Sequence, residues 1–244
     1  MAHPLLRLIT FDAYGTLFTP KGTVAAQYAR ALGKCGVHIE EQQIAHSFKQ
    51  AFMKQAESFP NYGKLHGLES REWWKSVVNN TFLGAGVSKE ALHPVFEDTF
   101  KLIYDGFNSS EGYELYSDTK SLLKELRKTK VQLAVITNCD QRVTEVMDSL
   151  GILEDFEFVI TSSGYGEEKP APGIFHHAVD VAKVKPTETL HVGDDYAKDF
   201  EAAKRAGLHA LYLERDPVKY AKALANNTEA IQSLTEILDW KMPV

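Results

Sequence analysis

Apolar residues along this chain follow two rhythms. Short, unbroken apolar or β-branched runs occur at residues 6–11, 131–136, 156–160, 189–192 and 210–213. Runs of that length without alternation predict strands buried on both faces. Before each of the last four, apolar positions recur at helical spacing instead: Leu122, Leu123 and Leu126; then Val143, Val146, Met147 and Leu150; then Ile174, Phe175, Ala178, Val181 and Ala182; then Phe200, Ala203 and Ala206. Alternating strand and helix predicts an α/β fold, a doubly wound Rossmann-like parallel sheet with helices on both faces. The stretch 230–238 reads as a closing helix on that core.

The first strand breaks the rhythm. A long segment separates it from the second, and its apolar faces are helical: Tyr28, Ala29 and Leu32; Ile44, Phe48, Phe52 and Met53; Trp74, Val77, Val78 and Phe82; and Val95, Phe96, Phe100, Ile103 and Tyr104. The expected organisation is a core of residues 1–17 and 112–244, interrupted by a smaller helical domain at 18–111.

Composition narrows the setting. The chain has 244 residues, 44% hydrophobic and 25% charged, within the range of ordinary globular proteins. Its net charge of −6 argues against a nucleic-acid partner, which selects a basic face. It does not exclude an anionic substrate, because a bound cation reverses the local field. Cys35 and Cys139 have no metal-ligand spacing and make no disulfide framework, which fits a reducing compartment. The first residues lack a signal-peptide layout, and the run at 6–11 is far shorter than the ~20 residues that span a membrane. A cytoplasmic protein with no membrane partner is the expectation; the pattern leaves oligomeric state open.

In open parallel sheets, ligands bind beyond the carboxyl ends of the strands. Those ends carry chemistry here. The first strand runs into Asp12, followed by Ala13-Tyr14-Gly15-Thr16-Leu17. The second ends in Thr137-Asn138-Cys139-Asp140. Lys169-Pro170 follows the third, and the fourth ends in Gly193-Asp194-Asp195, with Asp199 beyond. A nucleophilic carboxylate, a hydroxyl, a lysine and an acidic cluster on one edge suit displacement through an aspartyl intermediate.

In their order and spacing these four motifs resemble those of the haloacid dehalogenase superfamily. A closer likeness to one group within it rests on Phe59-Pro60-Asn61-Tyr62-Gly63, Arg71-Glu72-Trp73-Trp74, Asn138-Cys139-Asp140-Gln141-Arg142 and His191-Val192-Gly193-Asp194. The resemblance implies a helical cap inserted after strand one, whose closure would exclude water and select the substrate. It implies Asp12 as nucleophile and magnesium ligand, with the Tyr14 carbonyl and Asp194 completing the protein ligands. Mg2+ keeps several waters and needs few such ligands. Asp195 and Asp199 would orient metal-bound water. Thr137 and the Asn138 amide would hold phosphoryl oxygens, and Lys169 would offset the repulsion between two anions. The implied reaction is hydrolysis of a small phosphorylated metabolite.

One position departs from the pattern of magnesium phosphatases in this superfamily. They carry a second aspartate two residues after the nucleophile, as general acid and base, where this chain has Tyr14. General acid–base catalysis contributes ~10²–10⁴-fold, and a phenol titrating near ~10 is a poor substitute. Weakened phosphatase activity follows. The string at 11–17 is also similar to that of 2-haloacid dehalogenases, which need neither metal nor leaving-group protonation. Against that, those enzymes use a cap arginine where Lys49 is the nearest counterpart here, and they lack the acidic run of Asp194, Asp195 and Asp199. A phosphonate-type hydrolase would need a cap lysine, and nothing selects among Lys34, Lys49 and Lys54. A third alternative is an inactive family member that binds a ligand or partner.

Other conspicuous residues read as structural. His191 is expected to pack beside the sheet, Trp73 and Trp74 to pack rather than cage a ligand, and Cys139 to act as a small core residue. His176 and His177 read as the edge of a helix face. The segment Asn61-Tyr62-Gly63 reads as a loop that could face the substrate.

Overall fold

The computed structural model describes residues 6–241. The leader reading at residues 1–5 and the outermost ends of the expected core lie outside the described residues. The chain divides into two compact units: one runs up to Thr19 and resumes at Leu115, and the other is Pro20–Glu114.

The strands in chain order are β1 (Leu8–Phe11), β2 (Phe18–Pro20), β3 (Tyr113–Leu115), β4 (Gln132–Thr137), β5 (Phe158–Thr161), β6 (Thr189–Gly193), β7 (His209–Leu213) and β8 (Ala230–Ile231). Six of them make one sheet in the order β5-β4-β1-β6-β7-β8, while β2 and β3 pair separately. Every pairing in the large sheet is parallel. All four residues of β1 are buried, in register with 132–135 on one side and 189–192 on the other. That central position explains why its sequence is apolar without alternation. The chain builds β4 and β5 to one side of β1 and then crosses to place β6, β7 and β8 on the other. In sheets of this order ligands bind beyond the carboxyl ends of the strands at such a reversal, here the ends of β4, β1 and β6.

Helices cover this sheet through the stripes that the spacing predicts. Thr119–Leu126 buries Leu122, Leu123 and Leu126, and Arg142–Ser149 buries Val143, Val146 and Met147. In Gly173–Ala182 the stripe is Ile174, Phe175, Ala178, Val179 and Ala182, and Val181 faces solvent instead. The closing helix expected at 230–238 is not formed as such. Ala230–Ile231 adds to β7 as an edge strand, and a 3-10 helix follows at Leu234–Asp239. The cause is local: the Ser233 hydroxyl accepts from Thr235 N, and Glu236 accepts from Ser233 N, a capping box that starts the helical turn after Ser233.

The second unit is helical, with main helices Val24–Lys34, Glu41–Ser58, Ser70–Gly84 and Phe96–Gly106. Tyr28, Leu32, Ile44, Val78, Phe82, Phe100 and Ile103 form its core. Glu41–Ser58 buries Ile44, Ser47, Ala51 and Gln55, so Phe48 and Phe52 flank the stripe and Met53 points outward at 60% exposure. Trp73 is buried and donates its indole N–H to the Phe59 carbonyl at 2.9 Å, with the Trp74, Tyr62 and Phe52 rings packed around it. Asn61, Tyr62 and Gly63 all take left-handed backbone conformations. Among the described residues no helix is long and apolar enough to cross a membrane.

Candidate active site

Asp12 follows β1 directly, and its backbone N–H donates to the Val192 carbonyl at 2.9 Å, tying it to the neighbouring β6. The chain then turns sharply through Gly15, whose φ of 83° lies in the left-handed region. A side chain there would also collide with Asp194, since a Cβ would stand 2.3 Å from its Oδ2. The turn therefore needs glycine for its conformation and for the close approach. Thr16 next donates its hydroxyl to Asp194 Oδ1 at 3.2 Å. Motifs far apart in sequence thus meet through a backbone that leaves room for a carboxylate.

Lys169 lies at the centre of the site. Its ammonium donates to Asp12 Oδ1 at 2.7 Å, to Asp199 Oδ1 at 2.5 Å and to the Ile136 carbonyl at 2.9 Å. All three of its hydrogens are therefore engaged. The Asn138 side chain holds the Lys169 backbone, donating from Nδ2 to its carbonyl and accepting its N–H at Oδ1. Asp199 also accepts from the Asp195 N–H at 3.0 Å and lies 3.2 Å from His191 Nε2. His191 in turn meets the Thr10 hydroxyl through Nδ1 at 2.8 Å. The carboxylate of Asp199 can only accept, which places the imidazole hydrogen on Nε2 and makes Nδ1 the acceptor from Thr10. Gly193 makes this possible, because a Cβ there would stand 2.3 Å from the Asp199 carboxyl carbon.

The electrostatics follow from gathering three carboxylates around one ammonium, with Asp12 and Asp199 buried. Burial pushes the Asp12 carboxyl up; Lys169 pulls it down, the Asp199 and Asp194 charges push it up again, and it settles at about 6. Asp194 also rises to about 6, through burial and then Asp199. The residue touches solvent, but its carboxyl is tucked against Gly15 and Thr16. Asp199 moves the other way: burial opposes its ionisation, but Lys169 and His191 outweigh that and hold it well below the usual carboxylate range. Burial also works against the Lys169 charge, and Asp12 with Asp199 outweighs it, so the ammonium stays charged. His191 is lowered by burial despite Asp199, which keeps it neutral. A charge surplus remains on Asp12 and Asp194, one that a further cation would relieve.

Asp12, Asp194 and Asp199 each offer an oxygen within 4.8 Å of the others, the one group of possible metal ligands of this kind among the described residues. Asp195 is turned to other work. Its Oδ1 accepts from the Ala197 and Lys198 N–H groups at 3.0 Å and caps the helical turn that follows. Thr137 is buried at the end of β4. The side chain of Asn138 is engaged with the backbone of Lys169. Tyr14 stands two residues beyond Asp12, bridged to Phe18, with the two rings edge to face at 4.7 Å. The Cys139 thiol is pushed well up by burial and by Asp140, which suits a packing residue and not a thiolate. His191 goes beyond the reading of a packing residue, since it sits in the hydrogen-bond chain; a polar residue inside the apolar run of β6 was the available signal. Arg215, which donates to the Thr16 carbonyl at 3.0 Å, had no signal beyond its place after β7.

Comparison with known proteins gives this arrangement a lineage. The sequence profile of the haloacid dehalogenase-like hydrolase family matches residues 6–207. Haloacid dehalogenase-like hydrolase domain-containing protein 3 of Bos taurus is 38% identical over 215 residues, covering 87% of this chain and 84% of that protein. It stands in the group that the motifs around Trp73 and Asn138 resemble. Among solved structures, a 2-haloacid dehalogenase from Pseudomonas syringae superposes with a TM-score of 0.64 at 21% identity, covering 96% of this chain and 97% of the other. A HAD phosphatase from Thermococcus onnurineus superposes with a TM-score of 0.60 at 22% identity, covering 96% of each. Likeness to a dehalogenase and to a phosphatase alike, at such identities, speaks for the fold and not for either chemistry. The profile match and the bovine relative together place this chain in the haloacid dehalogenase-like hydrolase family.

Proposed function

We propose that the chain is a magnesium-dependent phosphatase of a small phosphorylated metabolite, working through an aspartyl-phosphate on Asp12. The observation that carries this reading is the meeting of Asp12, Asp194 and Asp199 around Lys169. The residues fit magnesium: the donors are all oxygen, and three carboxylates, Asp12, Asp194 and Asp199, gather at a site where Lys169 supplies one ammonium. Asp12 and Asp194, with the Tyr14 carbonyl, would hold the ion. Bound magnesium would neutralise phosphoryl oxygens and favour ionised Asp12.

The chain's own residues supply the rest. An Asp12 oxygen attacks phosphorus, the bond from phosphorus to the leaving oxygen breaks, and that oxygen departs with the electron pair. Lys169 offsets the repulsion between carboxylate and phosphoryl group. Water then attacks the phosphorus of the aspartyl-phosphate, releasing inorganic phosphate and regenerating the carboxylate. With Tyr14 where a carboxyl would protonate the leaving group, the proton comes from solvent. Esters of acidic alcohols and acyl phosphates are therefore the favoured substrates.

Tyr14 also supports a second reading, halide displacement from a 2-haloacid, because halide leaves without a proton. Three clustered carboxylates disfavour a carboxylate substrate unless a cation is present, so the phosphatase ranks first. The acidic composition and the few cysteines support a cytoplasmic protein with no nucleic-acid partner. The deciding experiment measures phosphate release from a panel of phosphomonoesters with magnesium and with chelator, beside an Asp12→Asn control, with halide release assayed in parallel. Magnesium-dependent turnover lost in Asp12→Asn supports the proposal. Halide release in chelator overturns it in favour of the dehalogenase, and ligand-induced stabilisation without turnover favours a binding protein.

A further inference from the structure

We infer that Arg215, outside the four motifs, is a positioning residue for the magnesium site, acting on Asp194 through Thr16. This rests on the magnesium reading above. The guanidinium follows β7 and grips Asp118 with two bonds, Nη1 to Oδ2 at 2.8 Å and Nη2 to Oδ1 at 3.1 Å. The same Nη2 donates to the Thr16 carbonyl at 3.0 Å. Thr16 is fully buried, and its hydroxyl donates to Asp194 Oδ1. One arginine thus fixes the backbone of the residue that orients a proposed metal ligand.

Its own surroundings hold it from several sides. The guanidinium lies over the Tyr116 ring, 3.9 Å from the centroid. Asp118 accepts from the Ser233 hydroxyl at 2.9 Å and from the Leu234 N–H at 2.8 Å, which ties the clamp to the capped turn after β8. Arg215 Nε is buried with no hydrogen-bond partner. A buried donor left unmatched is costly, and here it accompanies a geometry in which both Nη groups are satisfied. Lysine at this position would present a point charge without the planar fork. The grip on Asp118 and the reach to Thr16 could not then be kept together.

The partners of a metal ligand tune affinity as well as orientation. Loss of the arginine should let the turn at 15–17 relax and Asp194 drift, weakening magnesium binding more than turnover at saturating magnesium.

The test is calorimetric magnesium titration of the full chain, with magnesium half-saturation of phosphate release as a second readout. It compares the unsubstituted protein with Arg215→Lys, Thr16→Val and the double variant. Arg215→Lys should weaken magnesium binding about tenfold, with a larger shift in half-saturation than in kcat. The double variant should be no weaker than Thr16→Val alone, because both act along one path. Unchanged affinity in Arg215→Lys, or losses that add in the double variant, would overturn the inference while leaving the magnesium reading intact. A lower melting temperature without a change in affinity would likewise reduce Arg215 to a structural tie. If Arg215→Lys does not fold, Asp118→Asn loosens the same clamp while keeping an acceptor for Ser233 and Leu234, and the same outcomes decide. Failure of the unsubstituted chain to bind magnesium would remove the magnesium reading itself, and this inference with it.

Discussion

Asn138 grips Lys169 by the backbone with both ends of one amide, Nδ2 to the lysine carbonyl at 2.7 Å and the lysine N–H to Oδ1 at 2.8 Å. The end of β4 thereby sets the loop from which the Lys169 ammonium reaches Asp12 and Asp199. Asn138→Ala removes both bonds in a part-buried setting. We expect it to cost about 1–3 kcal/mol of stability, and to slow turnover by up to about a hundredfold through misplacement of the ammonium. Denaturant unfolding and phosphate release measure the two effects. An unchanged turnover would show that the three contacts of Lys169 place it unaided.

Asp12→Asn should abolish turnover and also change the pH dependence of stability. The folded-state values of Asp12 and Asp194, about 6, lie above the ordinary aspartate range. Their protonated forms favour the folded state, so this contribution is complete below about pH 4 and is lost as pH rises through about 6. Asp199 has the opposite sign: its contribution holds above the ordinary aspartate value and is lost as pH falls through its depressed one. Without metal, Asp12→Asn should therefore melt about 2–4 °C higher than the unsubstituted chain at pH 7, with the gap closing near pH 4. A gap in the other direction would mean that the ion pair with Lys169 dominates over burial.

Tyr14→Asp restores a carboxyl at the position two residues after the nucleophile. Magnesium-dependent phosphate release should rise by about a hundredfold on esters of poor leaving groups, and much less on aryl phosphates. Steady-state rates on a matched pair of such esters check it. An equal gain on both would place the effect of Tyr14 in binding and not in proton transfer.

Gly193→Ala places a methyl where the Asp199 carboxyl stands. Displacing that carboxyl disturbs the bonds to Lys169, His191 and the Asp195 N–H together. We expect a loss of about 1–3 kcal/mol, read by thermal unfolding, with turnover reduced as well. Full activity in a stable Gly193→Ala protein would show that Asp199 can be moved without consequence.

Much of this was legible in the sequence. The five unbroken apolar runs became five strands of the large sheet, because a strand covered on both faces selects apolar residues at every position. Asp12, Thr137, Asn138, Lys169, Asp194 and Asp199 could be named because each follows the end of such a run or of the loop beyond it. Helix stripes were legible to the face, but Val181 and Met53 were placed on the wrong side. In the mostly apolar helix that carries Val181 several faces look alike until a partner chooses one, and Met53 directly follows Phe52 at the edge of its stripe. The edge strand at 230–231 was missed because so short a strand exists only through the partner it joins.

What the sequence determined by itself was therefore the order of elements and the residues delivered to one edge, since strand burial and turn chemistry are local. Only the tertiary structure decided what those residues do with one another. Nothing local in the sequence joined Asn138 to Lys169, 31 positions away, whose backbone its side-chain amide holds. Asp195 became a helix cap while Asp199 took the buried charge. His191 entered a hydrogen-bond chain, and Arg215 reached Thr16 across 199 positions. Hydrogen bonds and ion pairs of this range depend on distances of a few ångströms between segments that the chain itself leaves unconstrained, and only packing supplies those distances.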